Sequence, residues 1–369
     1  MRNAIILLPT YNEAGSIEKL ITILSHIREE VSSNWNLEVL VIDSTSPDGT
    51  AEIVKKLQKK YGFLHLLMTK KEGLGKAYFQ GFTYTMQHLH PYVMFEMDAD
   101  LSHDPREIPQ FLKKIAQGAD FVIGSRYIKN GSIPEDWGLH RKIFSIVGNL
   151  IVRLGFMKLK ITEWTNGYRA IKTWVIQSSL NTVKHYSGYV FQIAIIDQAL
   201  KNKAQIEEIP IQFTDRKHGV SKISFSQYIV QILLYIFLNS SFIKFVIVGG
   251  VGFIIDFSIS FFLIEKAFAE VWLATLASTE TAIICNFLSN NFWSFSYKKL
   301  ESTKKTYILS FFKFNLISSG SIIIQTLGIQ LLVVMFGKPM WYLYKVFIIL
   351  FIIIPYSYFF YNKVVWKDR

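Results

Sequence analysis

Three short polar runs stand out because each follows an apolar stretch and each carries side chains able to do chemistry. They are Tyr11, Asn12 and Glu13; then Asp43, Ser44, Thr45, Ser46 and Asp48; then Asp98, Asp100, Ser102, His103 and Asp104. Asp98 and Asp100, two residues apart, would repel each other unless a cation lay between them. Ligands that are all oxygen suit magnesium or manganese. A solvated acidic loop is the alternative for an Asp-Ala-Asp run met alone, and the company of two other polar runs of the same kind weighs against it. Other chemistries lack their residues. With one cysteine, Cys285, and 8 histidines in 369 residues, neither a disulfide framework nor a structural zinc site is expected, and a reducing compartment is. No G-x-x-x-x-G-K-[ST] occurs, Tyr78 stands where a dinucleotide fold needs the third glycine after Gly73 and Gly75, and no G-x-S-x-G elbow is present.

The elements that must position these residues alternate. An apolar strand over 4–8 leads through a turn at 12–15 to a helix over 17–31 with apolar residues at Ile17, Leu20, Ile21, Leu24 and Ile27. The pattern repeats with strands over 37–42 and 64–69, helices over 50–61 and 74–88, and a strand over 92–97 before the acidic loop. Such alternation predicts an α/β domain with a mostly parallel sheet, whose ligands bind at the carboxyl ends of the strands.

Beyond that domain the composition changes. Four long apolar stretches, 245–264, 271–293, 308–336 and 340–362, carry one charge each at Asp256, Glu280, Lys313 and Lys345. About 20 residues at ~1.5 Å each cover the hydrocarbon core, so four membrane-spanning helices are expected. Lys298, Lys299, Lys304, Lys305, Lys363, Lys367 and Arg369 lie on one side, against Lys266 and Lys338 on the other. The positive-inside rule places the basic side, and with it the N-terminal domain, in the cytoplasm of an integral membrane protein of the cell membrane. The first apolar run is too short for a signal peptide, so none is expected. Two amphipathic segments, 139–157 and 225–237, fit helices lying in the membrane interface. The expected organisation is a catalytic domain over 1–222, an interface helix and linker over 223–241, and a membrane domain over 242–369. The formal net charge of +12 then serves membrane lipids or phosphorylated substrates, and no nucleic-acid partner is expected.

Pro9-Thr10-Tyr11-Asn12-Glu13, Ser46-Pro47-Asp48-Gly49-Thr50, Asp98-Ala99-Asp100-Leu101-Ser102-His103, Gly124-Ser125-Arg126-Tyr127 and Asp215-Arg216 through Ser221-Lys222 resemble, in order, the motifs of the dolichol-phosphate mannose synthases. These are inverting family 2 glycosyltransferases of GT-A fold. The C-terminal part resembles a GtrA-like four-helix membrane domain, notably in Asn286-Phe287-Leu288-Ser289-Asn290-Asn291-Phe292-Trp293. The resemblance implies transfer of mannose from GDP-mannose to dolichyl or polyprenyl phosphate with a Mg or Mn cation. It places Pro9, Tyr11, Glu13, Asp43, Asp98 and Lys222 at the nucleotide, and Asp98, Asp100 and Ser102 at the metal. Arg126 and Arg141 fall to the acceptor phosphate, and Asp100, Arg126 and Arg216 to catalysis. Two positions depart from the pattern: Ser102, where the family often has Gln, and Ser44, where it usually has a second Asp. The chemistry agrees with these roles, since three phosphates brought together need a divalent cation and guanidinium groups, and an acceptor phosphate is already ionised without a general base. A polyprenyl-phosphate glucosyltransferase using UDP-glucose and a non-enzymatic flippase of lipid-linked sugars are the alternatives. A processive polysaccharide synthase is disfavoured, because no Arg-Trp pair exists for its Q-x-x-R-W signature.

Overall fold

The computed structural model describes residues 1–134, 137–186, 188–214, 225–301 and 303–367. They form two compact units, one from Met1–Leu154 with Lys158–Leu233, the other from Gly155–Met157 with Leu234–Arg369.

The first unit is built on a seven-stranded sheet: β1 (Arg2–Thr10), β2 (Trp35–Asp43), β3 (Leu64–Met68), β4 (Val93–Glu96), β5 (Phe121–Ser125), β6 (Arg169–Lys172) and β7 (Ile206–Pro210), in the spatial order β3-β2-β1-β4-β6-β5-β7. β1 pairs in parallel with both β2 and β4, and β2 with β3. Ala4 to Leu8 is therefore covered on both faces, and each of its side chains is fully buried, which is why the run is apolar without alternation. Helices α1 (Ile17–Val31), α2 (Thr50–Gln58) and α3 (Leu74–His88) connect these strands. α1 buries Ile17, Leu20, Ile21, Leu24, Ile27 and Val31, the stripe its spacing predicts. α3 comes so close to the sheet that a Cβ at Gly81 would lie 2.3 Å from Ile42 Cδ1 and 2.8 Å from Leu7 Cδ2.

The chain steps outward from β1 through β2 to β3, then returns to the other side of β1 with β4. That reversal opens a crevice above the carboxyl ends of β1 and β4, where an open α/β sheet binds its ligand. Helix α4 (Ile108–Ala116) leads to β5. β6, which sequence patterning does not reveal, is inserted antiparallel between β4 and β5, and β7 closes the edge parallel to β5. The remaining helices are α5 (Leu139–Phe156), α6 (Thr173–Val183), α7 (Gly188–Lys201) and α8 (Phe225–Asn239).

The second unit contains α9 (Ser241–Glu265), α10 (Val271–Ser289) and α11 (Lys304–Phe336), followed by a last apolar stretch. Among the described residues three helices are long and apolar enough to cross a membrane: Ser241–Glu265, Lys304–Phe336 and Leu343–Val365. α10, the second of the four expected spans, has 19 residues and carries the polar run Ser278, Thr279, Glu280 and Thr281. Its hydroxyls have a partner within the bundle: Asp256 on α9 accepts from Ser278 Oγ at 2.7 Å and Thr279 Oγ1 at 3.1 Å. Phe245, Phe287, Phe295, Phe314, Tyr361 and Trp366 belong to an aromatic core.

Candidate active site

The rim of the crevice is tied together by two carboxylates that serve as anchors. Asp43, the last residue of β2, is fully buried and accepts from Thr10 Oγ1 at the end of β1 (2.9 Å), from Ser46 Oγ (2.6 Å) and from the Ser46 amide (2.8 Å). Asp48 accepts from the Ala14 amide (3.0 Å), the Thr50 amide (3.1 Å) and Thr50 Oγ1 (2.6 Å), and that same Thr50 hydroxyl accepts from the Glu13 amide. Partial burial would raise the Asp48 carboxyl, but the Thr50 hydroxyl and the Ala14 and Thr50 amides outweigh it and hold the group below the usual range. Pro9 lies in β1 opposite Ile42, the Glu13 carboxylate accepts from Ser16 Oγ at 3.0 Å, and Lys71 Nζ sits 3.5 Å from the centre of the Tyr11 ring.

Each of the three loops holds one non-glycine residue in left-handed backbone: Asn12 (φ 64°), Thr45 (φ 57°) and Leu101 (φ 65°). Thr45 is β-branched and Leu101 bulky, so both conformations are costly, about 1–3 kcal/mol each. Hydrogen bonds hold the first in place, since Thr45 Oγ1 donates to the Thr69 carbonyl at 2.8 Å. Such strain concentrates where backbone must be presented to a ligand.

The acidic loop after β4 has a defined internal wiring. Asn166 donates its side-chain amide to the Gly124 carbonyl (2.7 Å), which turns Asn166 Oδ1 toward His103 Nε2 at 3.0 Å. Nε2 therefore carries the proton, and Nδ1 accepts from the Asp98 amide at 3.0 Å. The imidazole is thus held in one orientation, stacked on Tyr168 at 4.8 Å between centroids, and it fixes the backbone that carries Asp98. The Asp98 side chain is 39% exposed. Asp100 Oδ1 accepts from the Ser102 amide at 3.0 Å, and Ser102 Oγ is buried with no hydrogen-bond partner among the described residues. No group of three or more His, Cys, Asp or Glu gathers among the described residues. Two carboxylates and an orphaned hydroxyl fit magnesium or manganese, which bind through one or two carboxylates and take their other oxygens from water and substrate phosphates.

On the far side of the loop, Arg126 follows β5. Its Nε and Nη2 donate to Glu163 Oε2 and Oε1 at 2.8 and 3.0 Å, and Nη2 reaches Thr165 Oγ1 at 3.3 Å. Glu163 is fully buried. Burial alone would raise its carboxyl, but the Arg126 guanidinium overrides this and keeps it below the usual range. Trp137 links the two expected acceptor arginines: its ring centre is 5.9 Å from Arg126 Cζ and 3.8 Å from Arg141 Cζ. Arg141 lies in the first turn of α5, which is tied to the β5 loop by Tyr127 Oη and Ser145 Oγ at 2.6 Å. Much of the apolar face of α5, including Leu139, Ile143, Ile146 and Leu150, is exposed. Between α5 and α8, Val147 and Ile151 line a groove with Ile229 and Ile232.

The structure thus brings Pro9, Tyr11, Glu13 and Asp43 to neighbouring strand ends, Asp98, Asp100 and Ser102 to one loop, and Arg126 to Arg141 through Trp137. Arg216 and Lys222, with the whole segment from Asp215, lie outside the described residues, as does Arg369. Sequence reasoning missed Glu163 and the wiring by His103 and Asn166, although His103 stands in the acidic run after β4. Arg169, in the run Asn166-Gly167-Tyr168-Arg169, is fully buried and donates to the carbonyls of Asn166, Gln192 and Trp164, which makes it structural.

Residues 5–173 match Glycosyl transferase family 2, and residues 244–366 match the GtrA/DPMS transmembrane domain. The polyprenol monophosphomannose synthase of Mycolicibacterium smegmatis is 34% identical over 227 residues, covering 60% of this chain and 82% of that protein. The undecaprenyl-phosphate mannosyltransferase of Micrococcus luteus is 36% identical over 219 residues, 59% of this chain and 86% of that one. The dolichol-phosphate mannosyltransferase of Pyrococcus furiosus is 28% identical over 299 residues, covering 79% and 80% of the two chains. Among solved structures, the mannosyl-3-phosphoglycerate synthase from Rubrobacter xylanophilus superposes with a TM-score of 0.48 at 16% identity, covering 64% of this chain and 73% of that one.

Proposed function

Because the chain belongs to glycosyl transferase family 2 and carries a GtrA/DPMS transmembrane domain, we propose that it transfers mannose from GDP-mannose to a polyprenyl phosphate of the dolichyl type, yielding the lipid monophosphomannose with inversion at the anomeric carbon. The names of the three relatives support the sugar and the acceptor class. The observation that carries the reading is the pair of arginines on Trp137, next to a helix with an exposed apolar face. A phosphate on a long hydrocarbon chain is the acceptor that needs both.

In this reading the polyprenyl phosphate oxygen attacks the anomeric carbon, the bond to the GDP oxygen breaks, and GDP leaves with the electron pair. Asp98 and Asp100 would hold the Mg or Mn cation, with Ser102 beside them, and the cation would supply charge neutralisation for the diphosphate. Nε and Nη2 of Arg126 donate to Glu163, which fixes the orientation in which that guanidinium would meet a phosphate. Arg141 would take the acceptor phosphate, and Arg216 and Lys222 are assigned to the donor diphosphate on sequence grounds. The nucleoside would occupy the rim formed by Pro9, Tyr11, Glu13 and Asp43. No base is required, because the acceptor is already an anion. We assign the catalytic part to residues 1–222, the interface helix and linker to 223–241 and the membrane domain to 242–369. The lysine bias of the loops supports a cytoplasmic active site in the cell membrane.

The test is a transfer assay with the purified full chain, a polyprenyl phosphate and Mg or Mn, comparing GDP-mannose with UDP-glucose. Mannosyl transfer at least tenfold faster than glucosyl transfer is expected. Equal or better use of UDP-glucose would overturn the donor assignment, and no lipid product from any nucleotide sugar would overturn the enzyme reading as a whole.

A further inference from the structure

Within the membrane unit, α9 and α10 run antiparallel: Lys244 lies by Trp293, Gly252 by Asn286, and Asp256 by Ser278. A Cβ at Gly252 would come within 2.2 Å of the Asn286 amide, so this glycine lets the two helices close on each other. Outside that contact they leave a groove of about 450 Å³, walled by Val248, Val251 and Ile255 on one side and by Leu288, Phe292 and Trp293 on the other. The volume falls in the roughly 300–1,000 Å³ range of sites that take small molecules. The residues that form its second wall belong to the run Asn286 to Trp293, which the proposed transfer reaction does not use.

The two aromatic residues at one end of the groove each carry a lysine. Lys244 Nζ lies 5.8 Å from the Trp293 ring centre, and Lys299 Nζ lies 4.7 Å from that of Phe292. Both distances are within cation–π reach. The neighbouring Lys298 donates to Asn362 Oδ1 at 3.0 Å. An apolar trough that ends in two aromatic rings and two ammonium groups matches a molecule with a hydrocarbon chain and a negatively charged head. The groove is open, with Val251, Phe292 and Trp293 exposed, and in a membrane-embedded helix pair such an apolar opening would meet lipid. Its occupant is therefore drawn from the most abundant lipids of the bilayer, and the lysines select among them by charge.

We propose that the groove between α9 and the end of α10 is a binding site for an anionic phospholipid, with its headgroup phosphate between Lys244 and Lys299 and one acyl chain along Val248, Val251, Ile255 and Leu288. The basic side of the membrane domain, by the distribution of its lysines, is the cytoplasmic leaflet, where anionic lipids attract such residues. The site depends neither on the sugar transferred nor on the identity of the acceptor.

The experiment is native mass spectrometry of the delipidated full chain in neutral detergent, titrated with dioleoyl phosphatidylglycerol or dioleoyl phosphatidylcholine. Phosphatidylglycerol is expected to bind more tightly, with a loss of about fivefold for each lysine removed in Lys244→Gln and Lys299→Gln. Lys266→Gln, at the opposite end of α9, should leave binding unchanged. Val251→Trp, which fills the groove at a lipid-exposed position, should weaken both lipids with little change in melting temperature. Equal affinity for the two lipids, or an equal loss from Lys266→Gln, overturns the proposal. An arm with undecaprenyl phosphate separates the other source of the same chemistry. If it displaces phosphatidylglycerol at equal concentration, and Lys244→Gln with Lys299→Gln raises the acceptor KM, the groove belongs to the substrate and the phospholipid assignment is wrong.

Discussion

Replacing Glu163 by Gln removes the charge that Arg126 is built around. Glu163 accepts from Arg126 Nε and Nη2 and, through Oε1, from the Thr165 amide, Thr165 Oγ1 and the Asn166 amide, all with the carboxylate fully buried. A glutamine keeps one acceptor oxygen but turns an N–H toward the guanidinium and removes the Glu163 charge beside it, where Arg126 is itself only 9% exposed. Breaking a buried pair from one side costs about 3–5 kcal/mol. At roughly 2–4 °C per kcal/mol for a unit of this size, the melting temperature should fall by about 6–20 °C. The fluorescence of Trp137 and Trp164, which lie beside the pair in sequence or space, can follow the transition in the full chain. The decisive comparison is the double variant Arg126→Met with Glu163→Leu. Replacing both charges by apolar groups relieves the buried guanidinium, so the melting temperature should recover in part, held below the parent by the Thr165 and Asn166 donors that lose the Glu163 carboxylate. Transfer activity should not, because the guanidinium proposed to meet phosphate is gone. A double variant that regained both would show that Arg126 only holds the fold, and a single variant that melted like the parent would refute the buried pair itself.

Asp100→Ala should lower turnover by at least about a hundredfold at limiting Mg or Mn, with Asp98→Ala nearly as severe; unchanged turnover in a metal titration would remove these residues from the metal site. Arg141→Ala should raise the KM for polyprenyl phosphate and spare nucleotide affinity, which steady-state kinetics in each substrate will separate. Gly81→Ala should destabilise by about 1–3 kcal/mol, since the added methyl meets Ile42 and Leu7 in the core; an unchanged denaturation midpoint would mean that α3 can lift away from the sheet. Glu96, buried with Arg169 3.9 Å away, has its carboxyl pushed up to about 7 by burial against the pull of the arginine. Its folded form holds a proton that the unfolded chain has released, so stability should fall as pH rises from about 4.5 to 7 and level off above, and Glu96→Gln should flatten that slope in denaturation curves. Glu163 acts with the opposite sign and in a lower window: its folded carboxyl sits below the unfolded value, so its contribution is present above about pH 4.5 and disappears as the pH falls through the folded pKa.

Local spacing was enough to locate α1 and α3, because a core-facing helix must repeat its apolar residues at the helical period wherever it packs. The same holds for β1 and β2, whose apolar runs are bounded by turn residues, and for the polar strand ends, since a parallel sheet collects its ligands at one edge. β6 was not legible: four residues, Arg-Ala-Ile-Lys, are too few to show a period, and its antiparallel insertion is decided by the strands on either side. The Arg126–Glu163 pair joins positions 37 residues apart, and no local rule connects them. The orientation of the His103 ring depends on the Gly124 carbonyl acting through Asn166, a chain of contacts that exists only once β4, β5 and the segment before β6 have come together. In the membrane unit, hydrophobicity identified the long helices, because the bilayer imposes their length and composition residue by residue. Which hydroxyls surround Asp256, and which lysines stand over Trp293 and Phe292, was set by how α9 and α10 pack, since hydropathy records how apolar a helix is but not which face meets its neighbour.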